Sequence, residues 1–183
     1  SNRDCIDWIS DYLKSYGATC KISSEADGKA NIFATLGPDI DGGIILSGHT
    51  DVVPVIGQNW SSDPFKMKRE NDSFYGRGTC DMKGFIASTL AMVPKYSGMT
   101  LKRPLHFAFT YDEEVGCLGA RVLVNQLIAS GLKPSACIVG EPTSMRIIEG
   151  HKGMCEYTTE FRGLEGHSSQ PDLCVNALEY AHR

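Results

Sequence analysis

Apolar runs alternate with amphipathic stretches along most of this chain. Asp4 to Tyr16 carries Cys5, Ile9, Tyr12 and Tyr16 at helical spacing, with Gly17 as a stop, and predicts a helix. Ala30 to Leu36 predicts a strand closed by Gly37-Pro38. Ile44 to Leu46 is short and apolar throughout, as parallel strands covered on both faces are. Pro54 to Asp72 is polar and turn-rich and predicts a long loop, holding Trp60, Pro64 and Phe65, of the kind that often carries function. Gly84 to Tyr96 predicts a helix whose last turn Pro94 weakens. Leu105 to Thr110 predicts a strand. Cys117 to Ser130 predicts a helix with Leu118, Val122, Leu123 and Leu127 inward, capped by Gly131 and followed by Pro134. Ala136 to Val139 predicts the next strand.

This strand–helix alternation implies an α/β fold, a sheet with helical crossovers. After Gly153 the pattern changes. Met154 to Arg162 alternates as a two-sided strand, a Gly-rich loop runs from Gly163 to Ser169, and a helix begins near Asn176. The expected division is a catalytic domain over 1–153 and the start of a second domain over 154–183, with His151-Lys152-Gly153 as a hinge.

Composition narrows the function classes. The 183 residues are 42% hydrophobic and 22% charged, with a formal net charge of −4, as in soluble globular proteins. No Lys/Arg cluster marks a nucleic-acid surface. No apolar run approaches the roughly 18 residues of a membrane span. Neither nucleic acid nor membrane is therefore an expected partner. The seven cysteines, an odd number without a C-x-x-C pair, fit reduced thiols in a cytoplasmic protein better than a disulfide framework. Their spacing does not suit zinc fingers, and Cys80 reads as packing.

Chemistry concentrates just past the apolar runs. Ser47-Gly48-His49-Thr50-Asp51 follows one, Thr110-Tyr111-Asp112-Glu113-Glu114 another, and Gly140-Glu141-Pro142-Thr143 a third. In open α/β sheets, ligands gather outside the carboxyl ends of the strands. These three clusters are therefore expected at one sheet edge. Gly76 to Gly84 adds Asp81 just before a helix. One His with several carboxylates is a donor set for divalent metal. His49 can ligate through one ring nitrogen while the other donates to Asp51, which fixes the tautomer. Asp81 can bridge two metals. Of two adjacent Glu residues beside a metal, one can ligate and the other accept a proton from water. Each motif also has a plain reading: a capping Asp51, a solvated acidic helix start at 112–114, Asp81 as an N-cap, an exposed Glu141. Arg77 can pair with a nearby acid. His106 and His182 read as structural, and His167 lies in the Gly/Ser loop of the second segment.

In this order the motifs resemble the di-zinc metallopeptidase family of aminoacylases, carboxypeptidases and deacylases. The strings that carry it are Ser47 to Pro54, Trp60-Ser61-Ser62-Asp63-Pro64-Phe65, Gly76 to Gly84, Tyr111 to Gly116 and Gly140 to Thr143, and the resemblance covers essentially the whole chain. It implies a three-layer, zinc-exopeptidase-like fold with a mixed, mainly parallel sheet and flanking helices, plus a smaller α/β lid and dimerisation domain. It implies two Zn2+, with Co2+ as a workable alternative. His49 and Glu141 would hold one zinc, Glu114 the other, and Asp81, joined to Met82 by a cis peptide, would bridge them. Glu113 would be the general base, Asp51 the partner of His49, and His167 would reach substrate in the partner subunit of a homodimer and steady the oxyanion.

The implied activity is hydrolysis of the amide of a small N-acyl amino acid, N-acetylornithine foremost, in arginine biosynthesis. A desuccinylase of diaminopimelate or a dipeptidase or carboxypeptidase stays open as a sister activity. A non-catalytic, metal-binding dimerisation module is the alternative of another class. The resemblance also implies residues before Ser1 and after Arg183, among them a His that is the last zinc ligand. The chain thus resembles an interior stretch of a longer protein.

Overall fold

A computed structural model describes residues 1–150, 152, 153, 155 and 157–182. The chain forms two compact units, Ser1–Met145 and Arg146–Arg183.

In the first unit a five-stranded sheet is the frame. Its strands are β1 (Thr19–Ser23), β2 (Asn31–Leu36), β3 (Ile44–His49), β6 (Leu105–Thr110) and β7 (Ala136–Val139), in the order β1-β2-β6-β3-β7. β2 pairs antiparallel with β1 and β6, whereas β3 pairs parallel with both β6 and β7. Four strands thus point one way and β2 the other, which makes the sheet mixed and mainly parallel.

Side-chain alternation along β2 and β6 divides the core between the two faces. Ile32, Ala34, Phe107 and Phe109 pack on one face with Ile6, Ile9 and Leu13 of α1 (Arg3–Ser15) and Ile86, Leu90 and Val93 of α2 (Lys83–Ser97). Phe33, Ile45 and Ala108 pack on the other with Leu123 of α3 (Leu118–Ala129). The three-layer expectation is met. His106 is buried as a structural residue, bonded to Thr35 Oγ1 at 2.9 Å and stacked on Phe33.

Several expectations need correction. The inward stripe of α1 is Ile6, Ile9, Ser10 and Leu13, and Cys5 is exposed. On α3, Leu118 is exposed and Gly119 takes the inward place, because no side chain fits there. Cys80 is exposed, as turn residues usually are. The loop over 54–72 ends in a strand not foreseen: β4 (Lys68–Glu70) and β5 (Ser73–Tyr75) form a hairpin around Asn71 and Asp72, both at positive φ. Pro94 does not end α2, which runs on to Ser97. Proline removes the N–H that would bond the Leu90 carbonyl four residues back. The Tyr12 hydroxyl from α1 donates to that carbonyl instead, at 3.1 Å.

In the second unit, α4 (Ala177–Ala181) is capped by Asn176, whose side chain accepts from Leu178 N at 3.0 Å. The strand expected over 154–162 does not form among the described residues. Alternation gives a segment two faces, but a ladder also needs a partner, and the described pairing here is one isolated bridge, Leu164 with Val175. Met154, Glu156 and the hinge residue His151 lie outside the described residues.

Tyr12→Phe is expected to cost about 1 kcal/mol, since it strips the Leu90 carbonyl of its donor. In a Pro94→Ala background the helix regains its own N–H, and the same change should cost clearly less. Urea denaturation of the four proteins checks this; an equal cost in both backgrounds contradicts it.

Candidate metal centre

Three neighbouring parallel strands end at one edge of the sheet, and each delivers part of one cluster. His49 is the last residue of β3, the middle strand of the three. Asp112, Glu113 and Glu114 follow β6, and Glu141 follows β7. Asp81 comes from the turn ahead of α2, joined to Met82 by a cis peptide.

The imidazole of His49 is 1% exposed, and carboxylates surround its Nε2. Asp81 Oδ1 lies 3.0 Å away, Glu141 Oε1 3.7 Å and Glu113 Oε2 3.9 Å. Donor atoms of His49, Asp81 and Glu114 lie within 4.8 Å of one another, and so do those of His49, Glu113 and Glu141.

The far side of the ring fixes which nitrogen faces this cluster. Nδ1 is 3.1 Å from the backbone carbonyl of Asp51 and 3.4 Å from its Oδ1. A carbonyl only accepts, so Nδ1 carries hydrogen and the lone pair of a neutral ring sits on Nε2. Asp51 Oδ2 in turn accepts from the backbone N–H of Glu114 at 3.0 Å. One carboxylate therefore ties the ring of β3 to the loop after β6.

Packing aims the remaining parts. The His49 N–H points at Met82 Sδ, 3.1 Å away, and Met82 is fully buried. Gly140 donates to the Ser47 carbonyl at 3.0 Å, and a Cβ there would fall 2.0 Å from the Phe85 ring. Only glycine lets the chain turn so close to α2 and bring Glu141 in. Arg77 does not pair with an acid among the described residues. Its Nη2 donates to Gln58 Oε1 at 2.6 Å, and its guanidinium lies over Trp60.

Crowding like charges has a measurable consequence. Burial raises the Glu114 carboxyl above its ordinary value, and repulsion from Asp81 and Glu113 adds to the rise. Burial also raises Glu141; His49 opposes this, and Asp81, Glu113 and Glu114 reinforce it. For His49, burial favours the neutral ring, but the bonds to Asp51 and Asp81 outweigh it and push the pKa up to about 9. For Asp51, burial is likewise outweighed, by His49 and by backbone N–H groups, and the pKa falls to about 2.

His167 belongs to the second unit, where its Nδ1 lies 2.8 Å from Ser169 Oγ and the residue is exposed. Residues that the sequence did not flag include Met82, which backs His49, and Phe85, which sets the path to Glu141. The signal for Met82 was its place directly after Asp81; none pointed to Phe85.

Residues 45–181 match peptidase family M20/M25/M40. The chain belongs to that family. It is 39% identical over 184 residues to the acetylornithine deacetylase of Pasteurella multocida (strain Pm70), covering 100% of this chain and 47% of the relative. It is 37% identical over 183 residues to that of Buchnera aphidicola subsp. Acyrthosiphon pisum (strain APS), with the same coverage. The chain spans about half the length of the curated relatives it matches. A tripeptidase from Staphylococcus aureus superposes with a TM-score of 0.66 at 17% identity, over 96% of this chain and 48% of the other. Human carnosine dipeptidase 1 gives 0.61 at 24%, over 73% and 31%. These two likenesses concern the fold alone.

The donor set of this M20/M25/M40 chain fits a divalent cation. It offers one imidazole nitrogen, Nε2, whose proton a cation can displace, and four carboxylates whose mutual repulsion a cation would relieve. No described helix is long and apolar enough to cross a membrane.

The raised pKa of His49 gives the metal-free protein a pH signature. Stability from the charged ring is complete below pH 6.5 and is lost as pH rises through about 9. That from Asp51 is present above pH 3.8 and is lost as pH falls toward about 2. In chelator-treated protein the urea midpoint should fall between pH 6.5 and about 9, and His49→Asn should lack that component. A midpoint that falls equally in both proteins contradicts the assignment.

Proposed function

We propose that this chain supplies the metal-binding part of a hydrolase that cleaves the amide bond of N-acyl amino acids, N-acetylornithine above all, yielding ornithine and acetate for arginine synthesis. The observation that carries the reading is the convergence of Asp81, Glu113 and Glu141 on the Nε2 of His49. The names of the curated relatives, at 37% and 39% identity, supply the substrate.

In this reading His49 and Glu141 would hold one zinc ion and Glu114 a second, with Asp81 a ligand common to both, and Co2+ could substitute. Metal held there would supply polarisation of the amide carbonyl and a lower pKa for water. Asp51 keeps hydrogen on Nδ1 of His49, and so keeps Nε2 available. Glu113 accepts a proton from the attacking water as its oxygen bonds to the carbonyl carbon. It then gives that proton to the amine nitrogen as the carbon–nitrogen bond breaks. His167, from the other copy of a homodimer, donates to the oxygen on which charge develops. Seven unpaired cysteines agree with a cytoplasmic setting.

Hydrolysis of N-acetylornithine and of N-succinyl-diaminopimelate by the zinc-loaded, full-length protein and its Glu113→Gln variant tests the proposal. Wild-type protein should prefer the acetylated substrate. The variant should keep its zinc and lose about 100-fold or more in kcat, within the range for a general base. Near-normal turnover by the variant contradicts the role of Glu113. Preference for the succinylated substrate keeps the site but contradicts the named substrate.

A further inference from the structure

The carboxylate loop between β6 and α3 is held from beneath by a segment with no metal-binding chemistry of its own. Glu113 and Glu114 sit in a tight excursion over 112–118. Its neck closes where Gly119 N donates to the Tyr111 carbonyl at 3.0 Å and Leu118 N to the Asp112 carbonyl at 3.1 Å. Within it, Gly116 N and Cys117 N both donate to the Glu113 carbonyl, at 3.0 and 3.1 Å. Such a turn uses up local partners and leaves the Tyr111 N–H, just past the end of β6, in need of an acceptor.

Asn31 supplies it. Its Oδ1 accepts from Tyr111 N at 3.3 Å, and its Nδ2 donates to the Gly119 carbonyl at 2.8 Å. The side chain is fully buried. An apolar residue would suit an interior position better, were it not for those two backbone groups. The fit is close on the other side too: a Cβ on Gly119 would stand 2.6 Å from Asn31 Oδ1 and 2.6 Å from the Tyr111 carbonyl.

Two residues earlier, the Lys29 ammonium pairs with the Asp112 carboxylate. Asp112 holds the left-handed φ of 54° with which the loop begins. The topology makes this grip available. β2 runs antiparallel to β6, with Ile32 opposite Phe109, so the start of β2 lies beside the end of β6.

We propose that Asn31, assisted by Lys29, is a positioning residue for the hydrolase: it sets the neck of the loop that presents Glu113 and Glu114, and thereby the distance of both carboxylates from His49. The inference rests on the metal-hydrolase reading of the site. A side chain that only filled the core would affect stability. One that sets the loop also affects the metal's surroundings and the chemical step, and affects substrate capture little.

The test uses the full-length protein as wild type, Asn31→Asp, Lys29→Met and Lys29→Arg. Asn31→Asp keeps the shape but cannot donate to the Gly119 carbonyl. Lys29 is partly exposed, so its variants leave the core intact. Three quantities are read: thermal midpoint, the visible spectrum and affinity of added Co2+, and kcat apart from KM. Asn31→Asp and Lys29→Met should each lower cobalt affinity or kcat by about 10-fold or more, the range for residues that orient metal ligands. The cobalt spectrum should change, KM should stay within about twofold, and Lys29→Arg should restore the wild-type values.

If Asn31→Asp does not fold, Lys29→Met and its rescue decide the matter. Variants with wild-type cobalt spectra, affinity and kcat overturn the inference and leave the function standing. Losses that follow the thermal midpoint and vanish on cooling also overturn it. Wild-type protein that binds no cobalt overturns the metal-hydrolase reading, and the inference with it.

Discussion

A buried imidazole facing a group of carboxylates is the constraint around which this chain is arranged. His49 lies at the end of the central parallel strand, out of water, with Asp81 3.0 Å from its Nε2 and two glutamates within 4 Å. Carboxylates so close repel one another, and burial strengthens the repulsion. Without a cation the histidine relieves part of it by keeping its proton, which is why its pKa rises to about 9. A divalent cation would relieve it more fully. The same arrangement thus stores unfavourable charge and selects the ligand that removes it.

What keeps the charges together is mostly backbone. Two acidic loops and one histidine sit at the ends of three adjacent strands, so sheet geometry fixes their spacing before any side chain chooses a rotamer. Asp51 then couples ring and loop by accepting the Glu114 N–H while flanking the ring of His49. Asn31 and Lys29 grip the same loop from β2. Gly140 lets the third loop pass against Phe85. Asn31 and Gly140 order carboxylates without adding charge, whereas Asp51 and Lys29 do so with charges of their own.

The sequence shows the frame and the cluster more readily than their supports. β2, β3, β6 and β7 are apolar runs, buried along β2 and β6 and exposed along β7, and the acidic clusters follow three of them, so both could be read without a structure. β1 could not, because an edge strand covered on one side has only Cys20 and Ile22 to mark it. The inward face of α3 was misjudged at Leu118, since tight approach at Gly119 depends on a contact with distant Asn31. Asn31 itself reads as an ordinary polar residue at the start of a strand. Its partners lie 80 and 88 residues away, and no local pattern records them. The alternation over 154–162 says nothing about a pairing partner, and the described residues there are exposed and form no strand.

The central claim is that His49 and the carboxylates around it form a metal site. Crystals of the zinc-loaded protein, measured at the zinc absorption edge, test it most directly. The account predicts an anomalous peak about 2.0–2.1 Å from His49 Nε2, with oxygens of Asp81 and Glu141 in the same shell. Zinc bound elsewhere, with His49 still bonded only to its carboxylates, would contradict it.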